Sequence, residues 1–177
     1  MPHLNIEFKA SVKNIAAAES KLLSLHPAFI GVDHQVDTYF DVPDGRLKLR
    51  EGNIENALIF YERKNVAGTK QSDILLYEHK PHKILKQILI KTHGIKAVVD
   101  KLRKIYFIEN VKFHFDNVKG LGEFLEVEAI DADGNIGIEK LKRQCNYYST
   151  FFEIKASDYI AVSYSDMILQ NHSSFIN

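Results

Sequence analysis

Apolar and polar residues alternate along much of the chain, and the alternation breaks at glycine, proline and asparagine. A period of two marks strands whose two faces meet different surroundings. Leu4–Ala10 places Asn5, Glu7 and Lys9 on one face and Leu4, Ile6, Phe8 and Ala10 on the other. Val32–Val42 sets Gln35, Asp37 and Tyr39 against Val36, Thr38 and Phe40. Pro43-Asp44-Gly45 predicts a turn, and Arg46–Arg50 follows as a hairpin partner. Glu51-Gly52-Asn53 predicts another turn, Val66–Ser72 a loop, and Ala57–Arg63, Ile74–Tyr77, Lys96–Phe107 and Asn110–Val118 further strands. In Gly120–Ile130, Phe124, Glu126, Glu128 and Ile130 share one face, and Leu125, Val127 and Ala129 the other.

Helical spacing appears four times. Ser11 is an N-cap candidate for Ile15, Ala18 and Leu22, with an end near His26-Pro27. Pro81 suits a first turn before Ile84, Leu85, Ile88 and Leu89, and Gly94 is the stop. A turn at Asp131–Asn135 precedes a short helix carrying Ile138, Leu141 and Cys145. A last helix is expected from Ser157, with Ile160, Ala161, Tyr164, Met167 and Ile168 turned inward.

Charge changes the picture. Glu7 and Lys9, Lys48 and Arg50, Lys101 and Arg103, and Glu126 and Glu128 are i, i+2 pairs, and Arg63 and Asp116 lie on strands of the same kind. The sheet therefore has one greasy face and one ionic face. An open sheet with helices on its greasy side fits, and so does a barrel with an ionic interior. Pattern alone places the open sheet slightly ahead, because an ionic interior is costly unless a ligand compensates the charge. Each charged pair also has a plain reading as a solvated strand face.

Composition narrows the class. The 177 residues suit one domain, here taken as 1–177, and 45% hydrophobic with 26% charged is ordinary for a globular chain. No apolar run approaches a membrane helix, and the charged N-terminus shows no signal peptide. The one cysteine, Cys145, sits on an apolar stripe and cannot form an internal disulfide, which points to the cytoplasm. Equal numbers of basic and acidic side chains, 23 of each, disfavour a bulk-electrostatic nucleic-acid binder. No His/Cys spacing supports zinc, and Gly120 and Gly122 lack the Lys-Ser/Thr of a phosphate loop.

Taken in order, the charged strands resemble the CYTH family, the triphosphate tunnel metalloenzymes. Asn5-Ile6-Glu7-Phe8-Lys9 is similar to its N-terminal Glu-x-Glu-x-Lys signature. Gln35-x-Asp37-x-Tyr39-Phe40, Gly45–Arg50, Tyr61-x-Arg63, Lys101-x-Arg103, Asp116 and Leu121–Glu128 resemble its later segments, and Ser163–Asp166 its closing helix. The resemblance is best to the bacterial branch that includes the class IV adenylyl cyclases. It implies an α+β fold: an eight-stranded antiparallel β-barrel with flanking helices, binding a small-molecule triphosphate inside. It implies Mg²⁺ or Mn²⁺ as cofactor, held by Glu7, Glu126 and Glu128 with Asp116 in support. Lys9, Lys48, Arg50, Arg63, Lys101 and Arg103 would bind phosphate, with Lys70 a further candidate, and Lys9, Arg63 and Asp116 would have catalytic roles. The reaction implied is conversion of ATP to cyclic AMP and pyrophosphate; hydrolysis of thiamine triphosphate, nucleoside triphosphate or inorganic triphosphate is the alternative, and binding without turnover a third. No protein partner is implied, and a homodimer is compatible. One departure stands out: Asn5 replaces the first signature glutamate, offering a carbonyl oxygen without charge.

The chemistry accounts for the inventory. A triphosphate needs positioning and charge neutralisation more than covalent help. Arginine forks give geometric control. Carboxylates repel phosphate unless a divalent ion lies between, so acids and bases on one face belong together.

Overall fold

In the computed structural model, which describes residues 3–62 and 65–174, the first strand pairs with two others far from it in sequence and closes the sheet on itself. The strands are β1 (His3–Ala10), β2 (Ala28–Phe40), β3 (Arg46–Gly52), β4 (Ala57–Glu62), β5 (Lys70–Glu78), β6 (Ile95–Ile108), β7 (Val111–Val118) and β8 (Gly122–Asp131). They run β1-β5-β4-β3-β2-β6-β7-β8 around a closed barrel in which neighbours are antiparallel. The open sheet favoured by pattern alone is therefore corrected. Alternation along a strand separates two faces but does not say which becomes the inside.

The helices are α1 (Ile15–Leu23), α2 (Lys83–His93), α3 (Ile138–Phe151) and α4 (Tyr164–Ser174). Helix α3 lies on β1 and β8, joined there by α1, over a greasy layer that includes Ile6, Phe8, Phe113, Leu125 and Val127. Leu141 and Cys145 of α3 are fully buried in this layer, as their spacing predicts. Helix α2 covers Phe40 and Leu49 through Leu89. Among the described residues no helix is long and apolar enough to cross a membrane.

Several boundaries differ from the sequence reading. The N-cap of α1 is Asn14, whose Oδ1 accepts the Ala17 N–H at 2.9 Å, and not Ser11. Helix α2 begins after Pro81, with His82 as its cap, and Gly94 ends it at φ 73°. Strand β2 starts earlier, at Ala28, and β5 absorbs part of the expected Val66–Ser72 loop. The helix expected from Ser157 is a single 3₁₀ turn, Ala156–Asp158; an extended segment follows and α4 starts only at Tyr164. That segment is strand-like because it docks on the barrel: the Ile160 N–H donates to the Lys9 carbonyl at 2.9 Å.

Candidate functional site

The charged faces of the strands line a cavity of about 550 Å³ inside the barrel. Glu7, Lys9, Lys48, Arg50, Lys101, Arg103, Glu126 and Glu128 all reach it. Strand register decides who meets whom. Across β1 and β8, Glu7 stands opposite Glu128 and Lys9 opposite Glu126. Across β2 and β3, Asp37 stands opposite Arg50; across β6 and β7, Arg103 stands opposite Asp116.

Two clusters result. In the first, Asp37 is fully enclosed and accepts from Arg50 Nε and Nη2 at 2.9 and 3.0 Å, from Lys101 Nζ at 2.8 Å and from Lys48 Nζ at 3.1 Å. Burial by itself would raise the Asp37 carboxyl, but the charges of Arg50, Lys101 and Lys48 hold it well below the usual carboxylate range. Lys101 is pushed down to about 7, first by burial and then by the neighbouring cations, against the pull of Asp37. Arg50 also reaches Glu55 at 2.9 Å, and Lys112 pairs with the same carboxylate.

In the second cluster, Arg103 grips Asp116 through Nε and Nη2 at 2.6 and 2.5 Å and reaches Glu126 at 2.6 Å. Lys9 meets Glu126 at 3.1 Å from the other side. The Tyr164 hydroxyl donates to Asp116 at 2.8 Å, and its ring centroid lies 3.6 Å from Lys9 Nζ. Asp116 thus orients Arg103 from behind rather than lining the cavity. His114 is buried beside Glu126; burial and the Arg103 charge push its pKa down to about 3, so it stays neutral, and its Nε2 has no hydrogen-bond partner among the described residues.

The residues at Glu128 fit a hard cation. Burial and the Glu7 and Glu126 charges hold the Glu128 carboxyl above its ordinary value, although Lys112 and the Asn5 amide, which donates to it, pull the other way. Facing carboxylates of this kind are relieved by a divalent ion. Asn5 Oδ1 is buried without a hydrogen-bond partner among the described residues and can serve as a neutral oxygen donor. Among the described residues no three His, Cys, Asp or Glu side chains are already gathered for a metal, because Glu126 and Asp116 are engaged by Arg103. Glu7 and Glu128 with Asn5 are therefore the residues that would hold one ion, leaving the rest of its shell to water or phosphate oxygen.

One described sequence candidate stands apart from this group. Lys70 is buried, but its Nζ donates to the carbonyls of Ile160 and Ala161, both at 2.8 Å, and it lines a second cavity with Arg46 and Asp166. Arg63 lies outside the described residues. Conversely, Asp37, Glu55, Lys112 and Tyr164 carry contacts that the sequence reading did not assign. The Asp37 contact was legible in principle: counting outward from the Pro43-Asp44-Gly45 turn puts it opposite Arg50. Glu55 sits in a turn, where no periodicity speaks for it.

A closed eight-stranded antiparallel barrel with an interior of interleaved acids and bases is the form of a triphosphate tunnel fold. The CYTH domain family model matches residues 3–157, and the chain belongs to the CYTH family. No curated protein matches the sequence. Among solved structures, the PH1012 protein of Pyrococcus horikoshii OT3 is 25% identical, with a TM-score of 0.77 over 92% of this chain and 98% of that one. A candidate adenylate cyclase from Vibrio parahaemolyticus is 18% identical, with a TM-score of 0.73 over 93% and 97% of the two chains. HpAC1 from Hippeastrum, a candidate adenylyl cyclase described as having a dominant triphosphatase activity, is 14% identical, with a TM-score of 0.60 over 98% and 96%. Members of the CYTH family are generally divalent-metal-dependent enzymes acting on triphosphates.

Proposed function

We propose that this protein is a metal-dependent enzyme acting on a nucleoside or other organic triphosphate inside the barrel, with ATP conversion to cyclic AMP and pyrophosphate as its leading reaction. One observation carries the reading: basic and acidic side chains from distant strands share one cavity inside the barrel. Among the described residues, six basic and six acidic side chains line it, so the cavity is close to neutral on its own. A triphosphate fits such a cavity only if internal carboxylates yield their cations or extra cations arrive with it.

Arg50, Lys48 and Lys101 exchange Asp37 for phosphate oxygens, and Arg103 and Lys9 engage the same chain from the opposite wall. The Arg50 and Arg103 forks set its orientation, because each is already fixed by a carboxylate. Mg²⁺ or Mn²⁺ bound at Glu7 and Glu128 would neutralise phosphate charge. The closed wall keeps bulk water from the phosphates. Binding without turnover is the second reading, favoured by Asn5, whose amide engages Glu128 where a third carboxylate would add charge.

Product analysis with Mn²⁺ tests both readings on ATP, thiamine triphosphate and inorganic triphosphate. Cyclic AMP with pyrophosphate supports the cyclase; ADP with phosphate replaces it with hydrolysis. Tight binding with no product over hours supports the second reading, and absence of both binding and product sinks both.

A further inference from the structure

Lys112 stands opposite Glu128 in the register of β7 and β8, and Glu128 is one of the two facing carboxylates that would hold a cation. Opposed side chains on one face of a sheet lie about 5 Å apart at Cβ, a gap that a lysine spans without strain. A lysine there is a rival to the ion, because its ammonium can neutralise Glu128 and close the site to a metal. Burial acts most strongly on the Glu128 carboxyl, and the Lys112 charge is the largest influence working against it. The Lys112 Nζ nevertheless pairs with Glu55, which comes from the β3–β4 loop on the far side of the barrel.

Glu55 is held in place for this contact. Its Oε2 accepts from Arg50 Nη1 at 2.9 Å and from Gln35 Nε2 at 3.0 Å. The loop beneath it closes on Asp33, which is wholly buried. The Asp33 carboxylate accepts the Ile54 and Glu55 N–H groups at 2.9 and 3.0 Å and Gln35 Nε2 at 2.8 Å. Asn56 and Gly52 exchange two hydrogen bonds at 3.0 Å. A Cβ on Gly52 would come within 2.8 Å of both Asp33 carboxylate oxygens, so the closure is too tight for a side chain there. Burial by itself would raise the Glu55 carboxyl, but Lys112 and Arg50 hold it well below the usual carboxylate range, and it is charged at neutral pH. Lys112 thus has a fixed anion of its own, supplied by the opposite wall.

We propose that Glu55 is a positioning residue for the metal site: by engaging Lys112 it keeps the ammonium off Glu128 and leaves Glu7 and Glu128 open to a divalent cation. The inference rests on the metal reading of that carboxylate pair and deepens it. It gives the β3–β4 loop, which belongs to none of the charged strands, a share in metal affinity. Without Glu55, Lys112 turns to its register neighbour Glu128, and an ion must displace an ammonium to bind.

Titration with Mn²⁺ alone, read by the paramagnetic resonance of the free ion, tests this on the parent, Glu55→Gln, Lys112→Met and the double variant. In the parent background Glu55→Gln should weaken Mn²⁺ binding about tenfold, as loss of a supporting residue around a metal does. Lys112→Met should bind Mn²⁺ at least as tightly as the parent, because the rival cation is gone. In the Lys112→Met background Glu55→Gln should then cost less than about twofold. An equal loss in both backgrounds makes Glu55 a charge acting through space and overturns the inference, as does no loss in either; both results leave the metal reading standing. Should Glu55→Gln fail to fold, Lys112→Met alone decides, since weaker Mn²⁺ binding by that variant would make the lysine a support of the ion and not its rival. If the parent binds no Mn²⁺, the metal reading of Glu7 and Glu128 itself falls, and the role of Glu55 with it.

Discussion

Asp37 and Arg50 face each other across β2 and β3 and lock in a two-pronged ion pair at 2.9 and 3.0 Å, with Lys48 and Lys101 on the same carboxylate. Three cations thus converge on one buried anion. In the proposed function Asp37 holds the place of a phosphate oxygen, and it keeps mutually repelling side chains in position.

Asp37→Asn removes that anion and leaves the cations uncompensated. Breaking a buried ion pair on one side costs about 3 kcal/mol, or roughly 6–12 °C in Tm for a chain of this size. Because a bound polyanion substitutes for the lost carboxylate, tripolyphosphate should raise the Tm of the variant more than that of the parent. Thermal melts with and without the ligand check this; an equal rise in both would separate Asp37 from the anion site.

Lys101 gives the tunnel a pH signature. Its pKa falls from an ordinary 10.5 to about 7 in the fold. Between those values the unfolded chain holds a proton that the folded one lacks, so this group makes stability rise with pH from about 7 to 10.5 and contributes no slope below. A bound triphosphate favours the charged lysine. Binding at pH 8 should therefore take up a proton that binding at pH 6 does not, and Lys101→Met should abolish the difference. Calorimetry in buffers of different ionisation enthalpy measures the uptake directly.

Lys70 separates a clamp from a phosphate ligand. Its bonds to the Ile160 and Ala161 carbonyls predict that Lys70→Met loosens the segment before α4. Hydrogen exchange at 160–164 should speed up, while affinity for tripolyphosphate changes less than twofold. A loss of affinity as large as that from Arg103→Ala, at least tenfold, would return Lys70 to the phosphate set.

Glu128 tests the metal. Chelation should stop turnover, with Mn²⁺ or Mg²⁺ restoring it. Glu128→Gln should raise the Mn²⁺ concentration for half-saturation at least tenfold, read by the paramagnetic resonance of free Mn²⁺, because one of two facing carboxylates is gone. Tripolyphosphate affinity without metal should hold or rise, because a carboxylate that repels phosphate is gone. Unchanged Mn²⁺ binding would move the ion elsewhere.

The residue pattern alone determined which side chains share a face. Period-two alternation put Lys9 with Glu7, Lys48 with Arg50, Lys101 with Arg103 and Glu126 with Glu128, and all eight line the cavity. Helical spacing likewise placed Leu22, Leu89, Leu141 and Cys145 in contact with the greasy face. Such patterns are local, repeating within one strand or one turn, and neighbouring residues suffice to fix them. Whether the ionic face would be outside or inside depended on β1 pairing with both β5 and β8, which involves residues more than 60 positions apart. Long-range pairing likewise brought Lys101 onto Asp37 and drew Lys70 to the chain before α4, whereas Arg50 on Asp37 and Asp116 behind Arg103 follow from hairpins of adjacent strands. Only the closed barrel could decide the contacts between distant strands, because such a partner follows from how those strands align, and a single strand carries no record of its neighbours.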